Sequence, residues 1–138
     1  MPVYSIGHSS LPADVFLSHL KRFRIELLVD VRRFPRSRRH PQFHRKALEA
    51  LLAGEGIDYL HLGEALGGFR ETDYEEYARS EPFARGISLL LEQTHRELAF
   101  LCAEKNPWEC HRRFIAEELA RRGIDVRHIV DGGLLLTA

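Results

Sequence analysis

The two cysteines of the sequence each lie beside groups that could control the reactivity of a thiol. Cys110 is followed directly by His111 and Arg112, and nearby positive charge lowers the pKa of a thiol and makes it more nucleophilic. Cys102 ends an apolar run, and Glu104 would oppose its ionisation if the two side chains were close. The sequence therefore offers Cys110 or Cys102 as a catalytic nucleophile, with an inert thiol as the alternative at each position.

Two further side chains could take part in proton transfer. His8 follows a glycine at the end of an apolar segment, where the close approach of a ligand would explain Gly7. Asp30 interrupts an apolar run, and a buried carboxylate is costly unless it is paired. Asp30 is therefore either a general base or ligand-orienting group, or the partner of a nearby arginine. The possible partners are Arg32, Arg33 and Arg112.

An arginine-rich segment, residues 33–41, combines guanidinium groups with ring side chains. Arginine can bind phosphate through two parallel hydrogen bonds, and aromatic rings can stack on bases. The segment could therefore hold a nucleotide or a nucleic-acid backbone, with a solvated charged loop as the alternative. The residues predicted to bind an anion are Arg32, Arg33, Arg36, His111 and Arg112.

Histidines and cysteines could in principle form a zinc site. The candidate ligands are His40, His44, Cys102, Cys110 and His111. Their spacing matches no standard zinc motif, and positive charge crowds them. We therefore predict neither a metal nor another cofactor.

The elements that must position these groups alternate between strands and helices. Apolar runs predict strands over residues 3–7, 26–32, 57–62, 98–102 and 126–130. Apolar residues at helical spacing predict a helix that opens at 11–14, and further helices over 42–53, 73–95 with a break near Pro82, and 107–122. Glycines predict a flexible loop at 63–68. We expect one α/β domain over 1–138: a three-layer sandwich around a five-stranded, mostly parallel sheet with helices on both faces.

Ligands of such sheets bind beside the carboxyl ends of the strands. This rule brings four chemically rich segments to one edge: 7–9, 30–33, 63–64 and 102–112. The helix predicted to begin at Pro107 contributes to that edge, because Asn106 can cap it and Glu109 can complete a capping box. The free N–H groups at such a helix end attract anions, and Arg112 would point from its first turn towards the crevice.

Charge is distributed unevenly, although the 138-residue chain has a formal net charge of zero. Residues 21–46 carry ten basic and two acidic side chains, whereas residues 47–109 carry five basic and thirteen acidic ones. Zero net charge excludes a uniformly basic nucleic-acid binder. The uneven distribution of charge along the sequence favours an anionic partner, unless the charges of the two segments neutralise each other in the fold.

The sequence contains no membrane or secretion signal that we can identify. No apolar run approaches the roughly 18 residues that a membrane span needs, and residues 1–4 lack the charged and apolar regions of a signal peptide. Two cysteines do not form a disulfide scaffold. We expect a cytoplasmic protein without a membrane partner.

Four segments carry recognisable motifs: Ser5-Ile6-Gly7-His8-Ser9, Val29-Asp30-Val31-Arg32-Arg33-Phe34-Pro35-Arg36-Ser37, His61-Leu62-Gly63-Glu64 with Gly67-Gly68, and Cys102-Ala103-Glu104 with Cys110-His111-Arg112. They extend over nearly the whole chain, and they resemble the signature blocks of the uncharacterised domain-of-unknown-function 488 family. The resemblance implies a compact α/β domain of bacterial type and brings no activity with it.

A more distant similarity is to rhodanese-like domains. Residues 28–32, Leu-Val-Asp-Val-Arg, look like their Asp-Val-Arg strand, and the strand ending at Cys102 with the following helix and strand looks like their second half. The similarity implies that Cys102 carries a persulfide. The loop after Cys102 departs from that pattern, because it is longer, contains a second cysteine and places Glu104 near the nucleophile. The Cys-x5-Arg spacing of cysteine phosphatases is absent too, since position 108 is Trp.

The leading functional hypothesis is an anion-binding crevice lined by cysteine, histidine and arginine. It would belong either to a binding protein or to a cysteine-dependent enzyme that acts on a phosphate-bearing or nucleotide ligand. In an enzyme, the nucleophile would be Cys110 or Cys102. The acid–base group would be His8 or His111. One alternative is a non-catalytic nucleic-acid-binding module that uses residues 21–46, and a second is rhodanese-like sulfur transfer.

Overall fold

Five parallel strands form the centre of the fold. The computed structural model of the chain describes residues 2–68, 70–104, 108, 111–130 and 135–137. The strands in these ranges are β1 (Val3–Gly7), β2 (Leu27–Asp30), β3 (Asp58–His61), β4 (Leu98–Cys102), β5 (Val126–Ile129) and β6 (Leu135–Thr137). The sheet has the order β3-β2-β4-β1-β5-β6; β1 to β5 pair in parallel, and β6 pairs antiparallel with β5. The predicted fold class is confirmed, and β6 adds a short strand that we did not predict.

The position of each strand in the sheet explains its composition. Every residue of β1, β2 and β4 is buried, because these strands lie inside the sheet and are covered on both faces. Such strands need apolar side chains at nearly every position. β3 lies at the edge of the sheet and is only partly buried.

The helices of the described ranges are α1 (Ala13–Arg22), α2 (Arg45–Ala53), α3 (Gly63–Leu66), α4 (Tyr74–Tyr77), α5 (Glu81–Leu91) and α6 (Arg112–Arg121), with a 3-10 turn over Pro41–Phe43 before α2. Asp73 caps α4 by accepting the backbone N–H of Glu76 at 2.8 Å, and Ser80 caps α5. Pro82 lies in the first turn of α5, where proline is tolerated, so the break predicted near it is present. None of the helices in the described ranges has the length and apolar character needed to cross a bilayer.

Two hydrophobic clusters cover the two faces of the sheet. On one side, here called the α1 face, Leu101 packs with Phe16 of α1 and Leu48 of α2. On the other side, here called the α6 face, Phe100 packs with Ile115 of α6 and with residues of α3 and α5. The sheet and the two helical layers make the predicted three-layer sandwich.

The predicted glycine loop after β3 contains the short helix α3 instead. The guanidinium group of Arg70 donates to the carbonyl oxygen of Gly67 at 2.9 Å and to that of Gly63 at 3.3 Å. A Cβ at Gly63 would lie 1.9 Å from the carbonyl oxygen of Arg32, and one at Gly67 would lie 2.4 Å from the amide nitrogen of Arg33. These glycines therefore allow α3 to pack closely on the chain that follows β2.

The helix predicted to begin at Pro107 begins at Arg112 in the structure. Asn106, Pro107 and Glu109, on which the predicted cap depends, lie outside the described residues, and Trp108 lies in a turn. The buried residues of α6 are Arg112, Ile115, Ala116 and Leu119. Arg112 thus lies on the buried face of α6, together with three apolar residues.

Candidate functional site

The carboxyl ends of β1 and β4 form the crevice at which ligands of α/β sheets bind. The two strands are neighbours, with Gly7 opposite Cys102. β1 leads into α1 on one face of the sheet, whereas β4 leads towards α6 on the other. Adjacent strands whose helices leave to opposite faces open a crevice between them.

The sheet separates the predicted site residues into two groups. His8, Asp30 and Arg32 lie together on the α1 face, where the ring of His8 stacks on Phe43 of that hydrophobic cluster. Cys102 belongs to the hydrophobic cluster of the α6 face. The structure therefore does not bring the predicted nucleophile Cys102 and the predicted base Asp30 into one site.

Asp30 and Arg32 form a buried ion pair. The side chain of Arg32 donates from Nε to Oδ1 of Asp30 at 2.9 Å and from Nη2 to Oδ2 at 2.7 Å, and its backbone N–H donates to Oδ1 at 3.0 Å. The hydroxyl of Tyr59 donates to Oδ2 at 2.5 Å. Burial, together with the charge of Asp30, raises the pKa of Tyr59, so its phenol stays protonated as a donor. Of the three arginines that the sequence offered, Arg32 is the one that pairs with Asp30.

The same ion pair holds the start of the arginine-rich segment. Nη1 of Arg32 donates to the carbonyl oxygen of Phe43 at 2.7 Å, and Phe43 is fully buried. The amide of Arg45 donates to the carbonyl oxygen of Pro35 at 2.9 Å. The segment between β2 and α2 is therefore fixed at both of its ends.

His8 is buried and neutral. It is 4% exposed, its ring centroid lies 4.5 Å from that of Phe43, and its Nδ1 lies 2.9 Å from the carbonyl oxygen of Ser9. Burial lowers the pKa of His8 to about 4. A carbonyl oxygen can only accept, so Nδ1 carries the proton and Nε2 is an acceptor. Ser9 has a φ of 45°, a left-handed conformation that is uncommon for a residue other than glycine.

An open groove of about 410 Å³ lies beside His8. Its lining includes His8, Ser9, Ser37, Arg38, Arg39 and Glu104. Arg38 and Arg39 are exposed, and within the described ranges neither forms an ion pair. The hydroxyl of Ser37 accepts the backbone N–H of His40 at 3.0 Å, which leaves its own O–H able to donate. The groove thus offers two guanidinium groups and several hydroxyl groups to an anion.

The arginines that line the groove differ from those that the sequence predicted to bind an anion. Arg33 is half-buried, with its guanidinium group 5.3 Å from the ring centroid of Phe34, and Arg36 is exposed. Neither residue lines the groove, whereas Arg38 and Arg39 do. The sequence showed the richness in arginine, but it did not show which of these side chains face the end of β1.

A second polar cluster is buried on the α6 face. Arg112 is 0% exposed; its Nη1 donates to Oγ of Ser5 at 3.3 Å, and its Nη2 donates to the carbonyl oxygen of Glu104 at 3.1 Å. Oγ of Ser5 also forms a hydrogen bond with Nδ1 of His128. Burial, and secondarily the charge of Arg112, lowers the pKa of His128 to about 4. This cluster was not predicted, although Ser5 within the buried strand β1 is a sequence signal for it.

The need for glycine at position 7 is explained by a close contact with the protein backbone. A Cβ at this position would lie 1.6 Å from the carbonyl oxygen of Glu104, so no larger residue fits without a backbone shift. The sequence led us to expect a ligand in that space. The carbonyl of Glu104 occupies it instead.

The structure describes two of the three remaining predicted site residues. Cys102 is 0% exposed, and its Sγ lies 3.7 Å from the carbonyl oxygen of Glu104. His111 is half-buried, with Nε2 3.2 Å from the carbonyl oxygen of Val31. Cys110 lies outside the described residues. Among the residues that are described, no group of three histidine, cysteine or acidic side chains could hold a metal ion.

The burial of Cys102 predicts a slow reaction with alkylating reagents. In a Cys110→Ser variant, we expect iodoacetamide to modify Cys102 about ten-fold or more slowly in the folded protein than in urea, because the reagent cannot reach a fully buried sulfur. Mass spectrometry of timed samples measures both rates. Equal rates in the folded and unfolded protein would contradict this prediction and favour the sulfur-transfer hypothesis.

Comparison with protein families matches the chain to a family described as Domain of unknown function DUF488, over residues 12–73 and 71–119. These ranges run from the start of α1 into α6 and make up well over half of the chain. A comparison with curated proteins finds no match. The rhodanese-like similarity stays a prediction.

Proposed function

Because the chain belongs to the family Domain of unknown function DUF488, whose description names no activity, we propose a function from its geometry: the groove beside His8 binds a phosphate-bearing small molecule. The observation that carries the proposal is the pair of exposed guanidinium groups, Arg38 and Arg39, that line the groove without an ion pair among the described residues. Arginine binds phosphate oxygens strongly because its donors form a planar fork.

The neutral groups of the groove suit the same ligand. Ser9 and Ser37 provide hydroxyl groups, and hydroxyl groups supplement arginine at phosphate sites because they add donors without adding charge. The buried pair of Asp30 and Arg32 holds the base of the arginine-rich segment. A segment fixed in this way loses less conformational entropy when a ligand binds.

Two features favour a small anion over a nucleic-acid backbone. Glu104 also lines the groove, so the groove does not present the uninterrupted positive charge that suits an extended polyanion. In addition, several cations of residues 21–46 are already paired: Lys21 with Glu55 at 3.2 Å, and Arg45 with its helical neighbour Glu49 at 2.7 Å. The basic segment is therefore not a continuous positive surface.

Calorimetric titration with inorganic phosphate at low ionic strength tests the proposal. We expect the double variant Arg38→Gln/Arg39→Gln to bind phosphate about ten-fold or more weakly, because hydrogen bonds to charged groups each contribute roughly 1.5–3 kcal/mol. The matched control is Arg79→Gln/Arg85→Gln, which removes two exposed arginines outside the groove. Equal affinity in the wild type and the groove variant, or an equal loss in the control, would reject the proposed site.

A further inference from the structure

We infer that the groove selects a phosphate group that still carries a proton, because His8 offers the ligand a hydrogen-bond acceptor. The inference rests on the proposed function, since it concerns which anion the arginines hold. It assigns His8 as a specificity-determining residue and names the ligand class as inorganic phosphate or a phosphate monoester.

The direction of the hydrogen bond at His8 follows from its contact with Ser9. The carbonyl oxygen of Ser9 lies 2.9 Å from Nδ1, and it must accept, so Nδ1 carries the ring proton. In the neutral ring, Nε2 then has a lone pair and no hydrogen. Among the described residues Nε2 has no hydrogen-bond partner, and His8, which is 4% exposed, lines the groove.

The surroundings of His8 keep the ring in this state. Its stacking on Phe43, with an angle of 21° between the rings, fixes the ring plane. The backbone N–H of His8 donates to the carbonyl oxygen of Cys102 at 3.0 Å, which fixes the main chain. Burial lowers the pKa of His8 to about 4, so at neutral pH Nε2 stays unprotonated.

An acceptor at this position distinguishes anions by whether they carry a hydrogen. Inorganic phosphate near neutral pH has at least one P–OH group. A phosphate monoester, with a second pKa of about 6, has one in a substantial fraction of molecules. Sulfate and phosphodiesters have none and would place an oxygen lone pair against that of Nε2. A buried acceptor left without a donor weakens binding, and a site that hydrogen-bonds a ligand hydroxyl strongly rejects analogues that lack it.

Competing anions at equal ionic strength and slightly acidic pH test the inference by calorimetry. The probes are inorganic phosphate, glycerol phosphate as a monoester, sulfate, and a single-stranded oligonucleotide without terminal phosphates as a diester. We expect phosphate or glycerol phosphate to bind about ten-fold or more tightly than sulfate and the oligonucleotide. Whichever of inorganic phosphate and glycerol phosphate binds more tightly shows whether the site takes free phosphate or a phosphate monoester.

The variant His8→Phe keeps a ring that can stack on Phe43 but removes the acceptor. We expect it to bind phosphate and sulfate almost equally, whereas the control His95→Phe, at an exposed histidine, keeps the wild-type ratio. Nitrogen-15 NMR of the wild type provides a second measurement in case the variant does not fold. A ring with its proton on Nε2 would overturn the inference.

The possible failures are distinguishable. If sulfate and phosphate bind the wild-type groove equally, the anion site stands and the role of His8 is refuted. If the oligonucleotide binds best, the ligand is a diester and the inference is again refuted. If none of the four probes binds, both the proposed function and the inference fail.

Discussion

Replacing Asp30 with alanine is expected to lower the free energy of unfolding by about 3–5 kcal/mol. The carboxylate is 0% exposed and accepts four hydrogen bonds, three of them from Arg32. Its removal leaves the guanidinium group of Arg32, which is only 5% exposed, buried without its counter-charge. Urea denaturation at neutral pH measures the loss.

Two comparisons show whether the uncompensated charge is the cause. Asp14→Ala removes an exposed carboxylate and should change the stability by less than about 0.5 kcal/mol. The double variant Asp30→Leu/Arg32→Met removes both charges and should recover much of the loss, because replacing a whole buried ion pair is often nearly neutral. If Asp30→Ala is no less stable than Asp14→Ala, the buried pair does not stabilise the fold.

Acid is expected to destabilise the protein through two buried histidines, His8 and His128. Burial lowers the pKa of each from 6.5 to about 4. Below pH 6.5 the unfolded chain therefore binds protons that the folded chain does not, so stability falls as the pH decreases towards 4. Above pH 6.5 this contribution is fully present. Over the whole window the two histidines together account for roughly 3–5 kcal/mol, since one unit of pKa corresponds to about 1.4 kcal/mol and solvent screening reduces the effect.

Denaturation curves at several pH values within this window measure the effect. The variant His8→Gln/His128→Gln should flatten the dependence to the part that the carboxylates and His19, whose pKa is also lowered by burial, produce. The control variant His44→Gln, at an exposed histidine, should leave the dependence as in the wild type. A wild-type stability that is constant between pH 6.5 and 4.5 would show that neither ring resists protonation.

The strands could be predicted because burial on both faces demands continuous apolar runs. β1 and β4 occupy the predicted residues, Val3–Gly7 and Leu98–Cys102, and the end of β2 differs from the prediction because Val31 and Arg32 already belong to the connection. The helix predicted over residues 107–122 is described from Arg112 to Arg121, and the cap predicted at Asn106 lies outside the described residues.

The polar partners were not predictable, because they depend on how distant segments fold together. Asp30 had three possible arginine partners. Arg32, which pairs with it, also donates to the carbonyl oxygen of Phe43, and this contact forms only when the chain folds back towards β2. The pairing of Ser5 with His128 joins the two ends of the chain through adjacent strands. No local spacing could have indicated that contact.

The order of the strands sets limits on when the chain can fold. Among the described strands β1 is synthesised before the others, yet both of its neighbours in the sheet, β4 and β5, follow it only after β2 and β3. Its buried residues therefore stay unpaired until β4 and β5 have been synthesised, so the centre of the sheet cannot form before then. Contacts between such distant segments slow folding and prolong the exposure of apolar strands. Newly made chains should consequently depend on protection from aggregation far more than the finished fold does.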